Sequence, residues 1–596
     1  MKEHKISFGK IFWPSFWSAI IVSILGIIIW VFVLGGLISS LDNSSVFEIK
    51  ENSVLHMTLQ GKIVEKRITS FDPSTFQIEK SLSLSEIIHG LEEGVTDDKI
   101  KGLFIELDNV SCGFATATEL RNAINEFEKS GKFAIAYNNG ELITQTEYYI
   151  ASAANQNYGF PTSSFSLLGL GAELSFFKNT FDKLNIEVEI IRGSNNDFKS
   201  AVEPFYREKM SDSSRLQINR YITSLWLDYR ESIAKDRKIT IEELNEIANN
   251  FLIQNINDAV KYKLIDKAIY RDEVLKIIAN KIGLKKIEKL NIQAFNKYAK
   301  KRFYQNQTLT KIDNPNIAVI LAEGAVEKNG KELSSKEICE LFKKVRKETS
   351  IKTVVFRINS PGGSALASDE IWREVKLTNE KKKVIVSMGD VAASGGYYIA
   401  SPASTIFANS TTITGSIGVF GMIPYTEKML KNKLGITFDR ESTNNHSVMT
   451  TNRKLTKKEL SIIQKSVDDI YTRFKEVVSK GRNISEEQVN NIARGRVWTG
   501  KDAKDIGLVD QLGGLKDAIN FAAEKANIKN KKVLYYPNIK EDPIAELIEQ
   551  LNEQEIKAKN NHFEVPESIL KYYHELKKVE SMKGIQMRLP YEININ

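Results

Sequence analysis

The chain has 596 residues, 42% hydrophobic and 27% charged, which is typical of a globular protein too long for one core and long enough for two or three domains. Its formal net charge of +8 is mild, and no basic run is interleaved with aromatic residues, so the composition argues against a nucleic-acid-binding protein. The two cysteines, Cys112 and Cys339, are too few for a disulfide framework, and we expect both to be unpaired core residues.

The first predicted element is a transmembrane helix. No charged residue occurs between positions 11 and 41, and an apolar span of about 20 residues fits inside this stretch. The stretch is too long for a typical cleavable signal peptide, and no small-x-small cleavage site follows it. Lysines precede it and Asp42 follows it, so we expect the amino end in the cytoplasm and the bulk of the protein on the outer side of the inner membrane.

The remainder of the chain contains an internal repeat. The sequence YYIAS at 148–152 recurs at 397–401, an offset of 249, and KLNI at 183–186 recurs as KLGI at 433–436. In each half, strand-like apolar runs alternate with helical patterns, which predicts two α/β units. The runs are at 102–107, 133–137, 317–321 and 353–358, and one clear helical pattern covers 117–127.

The pattern divides the chain into five predicted segments. These are a cytoplasmic stub and anchor (1–41), an amino-terminal α/β domain (42–284), a lysine-rich linker (285–314), a carboxy-terminal α/β domain (315–540) and a helical appendage (541–596). In the last segment, residues 544–559 and 567–580 have helical periodicity, and we expect them to serve packing or assembly.

A candidate nucleophile occurs in the second half, where residues 384–401 read VIVSMGDVAASGGYYIAS. The apolar run at the start predicts a buried strand, Gly389 and Asp390 are expected to break it, and a helix is expected to open within 392–396. Ser394 then lies on a strand-to-helix turn between small residues, where helix-start N–H groups are available to bind an oxyanion. The alternative is a small-residue helix start that only packs against a neighbour.

A second turn favours the catalytic interpretation. Residues 359–363, NSPGG, follow the strand-like run at 353–358, and their glycines allow backbone N–H groups to approach a reacting group. We expect an oxyanion hole formed by the N–H groups of Gly362 and Gly395, with Gly363 as the alternative to Gly362. Two such turns in one half are more specific than either one alone.

These motifs, followed by TGSIGV (414–419), GRVWTG (495–500) and GLVDQLGG (507–514), resemble in sequence and order the long, duplicated form of the signal peptide peptidase A family, peptidase family S49. The resemblance covers nearly the whole chain after the first forty residues. It implies a Clp/crotonase-like fold in each half and a membrane-bound serine protease. It also implies a homo-oligomer, a tetramer in this family, in the bacterial inner membrane with catalytic domains on the periplasmic side.

A serine nucleophile needs a base, and histidine is the usual one. Among the six histidines only His446, in a polar loop, is placed plausibly. The resemblance instead implies that Lys199, in KSAVEPF (199–205), is the general base and that Ser416 orients it. The lead-in at 192–197 looks longer than in the family, which leaves the local geometry open. A lysine base requires a pKa depressed by roughly 3 units or more from its model value near 10.4.

The two halves have kept complementary parts of this site. Gln145 occupies the position equivalent to Ser394, and Met449 occupies the position equivalent to Lys199. The sequence leaves open whether lysine and serine meet within one chain or between neighbouring chains, with a slight preference for one chain. No metal or other cofactor is implied, because no HExxH, clustered Cys/His spacing or phosphate loop occurs.

The function that we expect is that of an endopeptidase degrading released signal peptides and similar unfolded apolar peptides through an acyl-enzyme on Ser394. Two alternatives remain at this point. One is a crotonase-type acyl-CoA enzyme, which would share the fold and the glycine turns. The other is a non-catalytic, membrane-anchored assembly scaffold with a vestigial serine.

Overall fold

The structure, a computed structural model, describes Gly26 and residues 49–66, 69–72, 77–80, 82–307, 314–330, 332–537 and 585–589. The predicted anchor (1–41) lies outside these residues apart from Gly26, as do the predicted helical segments 544–559 and 567–580. None of the helices formed by the described residues combines the length and apolar character needed to cross a membrane. The chain divides into two compact units, Met1–Glu51 and Asn52–Asn596, and the second contains both halves of the repeat.

The described elements of the first half, in chain order, are β1 (Ser53–Val64), β2 (Thr69–Asp72), β3 (Gln77–Lys80), β4 (Leu82–Ser83), α1 (Leu84–Thr96), β5 (Ile100–Ser111), α2 (Phe114–Lys129), β6 (Phe133–Asn138), β7 (Leu142–Ile143), α3 (Gln145–Ala151), β8 (Gln156–Gly159), β9 (Ser164–Phe165), α4 (Lys178–Leu184), β10 (Glu187–Arg192), α5 (Glu203–Tyr206), α6 (Asp212–Arg237), α7 (Ile241–Asn249), α8 (Ile256–Lys261), β11 (Lys267–Ala268), α9 (Arg271–Lys281), β12 (Ile292–Ala294) and α10 (Phe295–Gln307).

Those of the second half are β13 (Ile317–Glu323), β14 (Val326–Glu327), β15 (Leu333–Ser334), α11 (Ser335–Lys347), β16 (Thr353–Ser360), β17 (Gly362–Ser364), α12 (Ala365–Asn379), β18 (Val384–Ala393), α13 (Gly395–Ala400), β19 (Thr405–Ala408), β20 (Ile413–Gly415), β21 (Phe420–Tyr425), α14 (Glu427–Leu434), α15 (Lys457–Arg482), α16 (Glu486–Ile492), β22 (Val497–Thr499), α17 (Gly500–Asp505), β23 (Gln511–Leu512), α18 (Leu515–Lys525), β24 (Val533–Tyr536) and β25 (Gln586–Arg588).

Each half is built on its own, mostly parallel sheet. The order in the first half is β11-β8-β6-β5-β1-β12, and in the second half it is β22-β20-β18-β16-β13-β24. The central strands are continuous apolar runs because both of their faces are covered, as for Leu103, Phe104 and Ile105 of β5, which are all fully buried. The predicted α/β class is therefore confirmed for both halves.

Equivalent positions of the two halves have equivalent structures. Helices α3 and α13 follow the same strand in each sheet, and the hydroxyls of Tyr148 and Tyr397 donate to the carbonyl oxygens of Leu264 and Leu508, each at 2.8 Å. Helices α6 and α15 both have 26 residues. These matched features agree with the duplication expected from the sequence.

A third sheet contains strands from both halves, in the order β10-β21-β25-β17-β14-β15. Strand β10 of the first half pairs antiparallel with β21 of the second half, with Glu187 opposite Tyr425 and Arg192 opposite Phe420. Strand β25, the last described element, lies between β21 and β17. The predicted helical appendage therefore includes at least one strand.

The predicted linker, 285–314, contains regular structure that belongs to the first half. Strand β12 extends the first sheet by pairing with β1. Helix α10 packs closely on α1, since a Cβ added at Gly90 would lie 2.5 Å from Ala299 Cβ and 2.9 Å from Phe295 Cζ. The free connection between the halves is thus shorter than the sequence suggested, and residues 308–313 within it lie outside the described residues.

One strand boundary differs from the prediction. Strand β18 continues through Gly389 and Asp390 to Ala393. Pairing is maintained along its length because β19 pairs with the beginning of β18 and β20 pairs with its end. The carboxylate of Asp390 accepts hydrogen bonds from Thr116 N at 2.8 Å and Thr116 Oγ1 at 2.7 Å. The strand is therefore tied to α2 of the first half at the point where the sequence predicted a break.

A buried charge cluster also joins the halves. The guanidinium of Arg357, on β16, is fully buried and lies 2.7 Å from Glu65 Oε1 and 2.8 Å from Glu119 Oε1, both in the first half. Burial raises the pKa of Glu65 to about 7 although Arg357 opposes this effect.

The two cysteines, Cys112 and Cys339, are both free; Cys339 is buried and Cys112 is half-buried.

Candidate active site

Ser394 lies between β18 and α13, at the N-cap of the helix. Its backbone has φ 56° and ψ −116°, a combination that residues other than glycine rarely adopt. The turn is held on both sides, because Ser394 N donates to Gly415 O at 2.8 Å and Tyr398 N donates to Ser394 O at 2.8 Å. The serine therefore occupies the strand-to-helix turn that the sequence predicted, in a strained conformation that the surrounding structure maintains.

The structure brings Lys199 to this serine within a single chain. Lys199 Nζ lies 2.7 Å from Ser394 Oγ and donates to Ser416 Oγ at 3.0 Å and to Ser416 O at 3.1 Å. A neutral amine has two N–H donors and one lone pair, so it satisfies this set of partners when the serine hydroxyl donates to the nitrogen. The three residues come from both halves of the repeat.

The environment of Lys199 favours the neutral amine. The side chain is fully buried. Burial lowers the pKa of Lys199 well below its ordinary value of 10.5. No carboxylate among the described residues opposes this effect. The amine can therefore accept a proton from the serine hydroxyl near neutral pH, which a protonated lysine cannot do.

Lys199 is positioned by backbone contacts with the second half. Phe198 N donates to Arg494 O at 3.0 Å, and a Cβ added at Gly495, whose φ is +76°, would lie 2.6 Å from Lys199 Cβ. Only glycine permits this approach. The segment that precedes Lys199, residues 192–197, also contacts the second half, since Gly193 N and Asn196 Nδ2 both donate to Val419 O at 3.2 Å.

Gln217 is a supporting residue that sequence reasoning missed. Its side chain, on α6, is almost fully buried; Nε2 donates to Phe198 O at 3.1 Å and to Ser200 Oγ at 2.8 Å, and Oε1 accepts from Val497 N at 3.2 Å. It thereby fixes the residues on both sides of Lys199. The only available signal was a glutamine next to the apolar Ile218 on a long helix, which is too common a pattern to identify a role.

Ser416 has the contact with Lys199 that the resemblance implied. Gly415 and Ser416 both have positive φ, 77° and 51°, and Ser416 N donates to Arg496 O at 2.7 Å. Two successive residues in this conformation turn both oxygen atoms of Ser416 towards the amine. Replacement of Gly415 by a larger residue would be strained at this position.

Gly362 and Gly363, the two candidates for one donor of the oxyanion hole, have different partners in the structure. Gly362 N donates to Ser360 Oγ at 3.2 Å, so this N–H group already has a partner. Gly363 is paired with Met587 of β25, and its N–H group faces the start of α13, since a Cβ added at Gly395 would lie 3.1 Å from Gly363 N. Because Gly362 N is held by a side chain of its own turn, Gly363 with Gly395, the alternative pair named from the sequence, is the better candidate for the hole.

The other candidate positions have different partners. His446 Nδ1 lies 3.1 Å from Glu459 Oε1, and the side chain is 37% exposed. Gln145, the first-half equivalent of Ser394, donates from Nε2 to Gly169 O at 2.9 Å and accepts from Gly169 N at 3.0 Å. Met449, the equivalent of Lys199, is exposed. In the first half, the residue at the position of the nucleophile thus forms hydrogen bonds with the loop around Gly169.

A serine hydroxyl beside a buried amine, with the N–H groups of two nearby glycines, is the arrangement of a serine-type hydrolase. The family model described as Peptidase family S49 matches residues 126–285 and 376–529, once in each half. The chain therefore belongs to peptidase family S49, and it is a serine-type peptidase with two S49 regions.

Individual relatives agree with this assignment. Serine protease SPPA, chloroplastic, of Arabidopsis thaliana is 32% identical over 498 residues, which cover 81% of this chain and 71% of that protein. Protease 4 of Salmonella typhi is 32% identical over 524 residues, covering 84% of this chain and 83% of that protein. Among solved structures, a point mutant of ClpP1 from Listeria monocytogenes matches with a TM-score of 0.24 and 17% identity, covering 34% of this chain and 93% of that one.

Proposed function

We propose that this peptidase is a membrane-anchored endopeptidase that degrades released signal peptides and similar unfolded apolar peptides through a Ser394–Lys199 dyad. The observation that carries the catalytic part is the 2.7 Å contact between Lys199 Nζ, fully buried, and Ser394 Oγ. This contact disfavours a crotonase-type acyl-CoA enzyme, which has no use for an activated serine. It also disfavours a scaffold with a vestigial serine.

The mechanism follows from the positions of these groups. Ser394 Oγ attacks the carbonyl carbon of the scissile peptide bond while Lys199 accepts the hydroxyl proton. The N–H groups of Gly363 and Gly395 stabilise the resulting oxyanion. Lys199 then protonates the leaving amine, which departs and leaves an ester on Ser394. A water molecule, deprotonated by Lys199, hydrolyses the ester, and Ser416 keeps the amine oriented throughout.

The substrate class and the location rest on different support. Ser394 and Lys199 are both fully buried, so a substrate reaches them as an extended segment rather than as part of a folded domain. The uncharged stretch at 11–41 supports an anchor with the catalytic halves on the periplasmic side of the bacterial inner membrane. Signal peptides released in the bilayer are apolar, unfolded and close to such an enzyme. We also propose a homo-oligomer, a tetramer as in the family.

The test combines labelling by a fluorophosphonate probe with cleavage of an apolar peptide. Wild type should react in both assays, faster as the pH rises through the depressed pKa of Lys199, because only the neutral amine accepts a proton. Ser394→Ala, Lys199→Ala and Lys199→Arg should each lose activity by a factor of roughly 10³ or more. His446→Ala is the matched control and should retain it. Full activity in Lys199→Ala, or loss only in His446→Ala, would exclude the dyad.

A further inference from the structure

A stack of side chains lies beside the dyad, where the two halves meet. The guanidinium carbon of Arg496 lies 4.2 Å from the ring centroid of Trp498 and 5.2 Å from that of Phe198. Each ring has a second arginine, since the guanidinium carbon of Arg220 lies 5.9 Å from the Trp498 centroid and that of Arg494 lies 5.5 Å from the Phe198 centroid. We call these three cationic and two aromatic residues the arginine ladder.

The two outer arginines of the ladder have carboxylate partners, and the central one has none. Arg220 donates to Asp502 Oδ1 at 3.0 Å, and Arg494 donates from Nε to Asp197 Oδ1 at 2.8 Å. Within the part of the chain that the structure describes, Arg496 forms no ion pair, and its buried Nε has no hydrogen-bond partner. A buried donor without a partner is rare in proteins and indicates that a partner comes from elsewhere.

The surroundings of Arg496 carry an excess of positive charge. Burial and then the charge of Arg220 lower the pKa of Arg496 below its ordinary value, and Arg494 acts in the same direction, whereas Asp502 opposes it. Both aspartates beside the ladder are already engaged by the outer arginines. A bound anion would therefore interact favourably with Arg496 and supply the partner that the described residues do not provide.

The ladder is confined to one half of the repeat. Helices α8 and α17 begin at equivalent positions, an offset of 244. At this offset Leu252 corresponds to Arg496, and Gln254 corresponds to Trp498. The first half thus reaches its helix with neither an arginine nor an aromatic residue at these positions. The ladder is therefore not required by the fold, and it occurs in the half that has the nucleophile.

The backbone of the ladder contacts the groups of the dyad. Phe198 directly precedes Lys199, and its N–H group donates to Arg494 O at 3.0 Å. Ser416, which contacts the Lys199 amine, donates from its backbone N to Arg496 O at 2.7 Å. A ligand that fixes Arg496 therefore also fixes the serine that orients the base.

We propose that Arg496 is the centre of a binding site for a phosphate group, flanked by Arg220 and Arg494, and that binding of this group holds Lys199 and Ser416 in the catalytic arrangement. A guanidinium offers a planar pair of N–H donors that matches two oxygens of a phosphate. The other oxygens of a tetrahedral phosphate point in different directions and are available to the outer arginines, whereas a carboxylate has only two oxygens, in one plane.

The phosphate group belongs either to a small molecule in solution or to the headgroup of a phospholipid. The binding site stands on the contacts of the arginine ladder, whereas its effect on cleavage rests on the proposed function.

Binding is tested without catalysis, in the full-length Ser394→Ala protein, by calorimetric titration with inorganic phosphate at constant ionic strength. Arg496→Gln should weaken phosphate binding at least roughly tenfold, because the central guanidinium is lost. Arg473→Gln is the matched control: the guanidinium carbon of Arg473 lies 4.6 Å from the ring centroid of Trp372, but its Nη2 lies 3.7 Å from Asp369 Oδ1. This control should bind phosphate within about twofold of the parent protein.

Arg220→Gln provides a measurement that does not depend on the folding of Arg496→Gln, because the Arg220 side chain is 54% exposed. It should weaken phosphate binding by roughly threefold. Equal affinities of the three arginine variants, or no binding of phosphate to the parent protein, would overturn the proposal.

A second compound distinguishes the source of the phosphate group. Glycerophosphoglycerol has the phosphodiester of an anionic phospholipid headgroup without the acyl chains. If it binds more tightly than inorganic phosphate and Arg496→Gln abolishes the difference, the site accepts a lipid headgroup. The reverse order of affinities assigns the site to a phosphate in solution, and failure of both compounds to bind contradicts the proposal.

The effect on the dyad is tested in the active full-length protein with an apolar peptide. Saturating inorganic phosphate, compared with chloride at the same ionic strength, should raise kcat at least roughly threefold and leave KM nearly unchanged, because it fixes the base rather than the substrate. Arg473→Gln should respond as wild type does, and Arg496→Gln should not respond. An equal response of all three proteins, or of none, would contradict the coupling to Lys199. If no protein cleaves the peptide but phosphate binding depends on Arg496, the binding site stands and the proposed function fails.

Discussion

Lys199 depends on burial rather than on a charged neighbour. Its Nζ has three oxygen contacts, all with uncharged groups of Ser394 and Ser416. A nearby carboxylate would have favoured the ammonium form and removed the base. Burial of this amine has a cost, because water would protonate it in the unfolded chain. Lys199 therefore reduces the free energy of unfolding at neutral pH.

This cost predicts a pH-dependent difference in stability between wild type and Lys199→Met. Because the pKa of Lys199 is depressed in the folded state, the unfolded chain binds more protons between that pKa and 10.5, and stability rises with pH in this window. The free energy of unfolding of wild type should therefore rise relative to the variant from pH 7 to pH 10, by about 1.4 kcal/mol per unit at most. Denaturant titrations across this range measure it, and a constant difference would contradict a neutral buried lysine.

The sequence could locate the reacting groups only in part. The turn around Ser394 was visible in its small residues, but Lys199 is one lysine among many and was identified by the resemblance. Its burial depends on Gly495 and Gln217, which are distant in sequence. The choice between Gly362 and Gly363 depends on the Ser360 hydroxyl, which takes the first N–H group. Such tertiary contacts leave no periodic pattern.

At the scale of elements, the strands and helices with strong apolar periodicity were predicted well, and elements defined by their partners were not. Strand β18 passes through Gly389 because β20 pairs with its second part. Strand β25 is stabilised by the edges of β17 and β21, and its five-residue context has no pattern that distinguishes it from a loop. Helix α10 looked like a linker because its sequence is rich in lysine, arginine and other polar residues.

The cluster around Arg357 should be essential for the association of the two halves. Arg357→Leu would leave Glu65 and Glu119 buried without their cation, so we expect it to lower the free energy of unfolding by roughly 3 to 5 kcal/mol. Arg220→Leu is the matched control: it removes an ion pair with Asp502 whose arginine is 54% exposed, and should cost at most about 1 kcal/mol. Thermal and denaturant unfolding measure both. Equal, small losses would show that the cluster does not hold the halves together.

At the scale of the whole molecule, the candidate active site combines residues from the two halves of the repeat. The first half keeps Lys199 and has Gln145 at the nucleophile position, and the second half keeps Ser394 and has the exposed Met449 at the lysine position. The sequence left open whether the dyad forms within or between chains. In the structure it forms within one chain, where β10 and β21 pair the two halves beside the site.

The most direct test of this arrangement mixes Ser394→Ala chains with Lys199→Ala chains under conditions of verified subunit exchange, and measures cleavage of an apolar peptide. Each variant lacks one member of the dyad, and no mixed assembly restores both to the same chain. We therefore predict that the mixture stays as inactive as its components. Recovery towards about a quarter of wild-type activity, the share of intact sites expected if neighbouring chains contributed one residue each, would contradict a dyad formed within one chain.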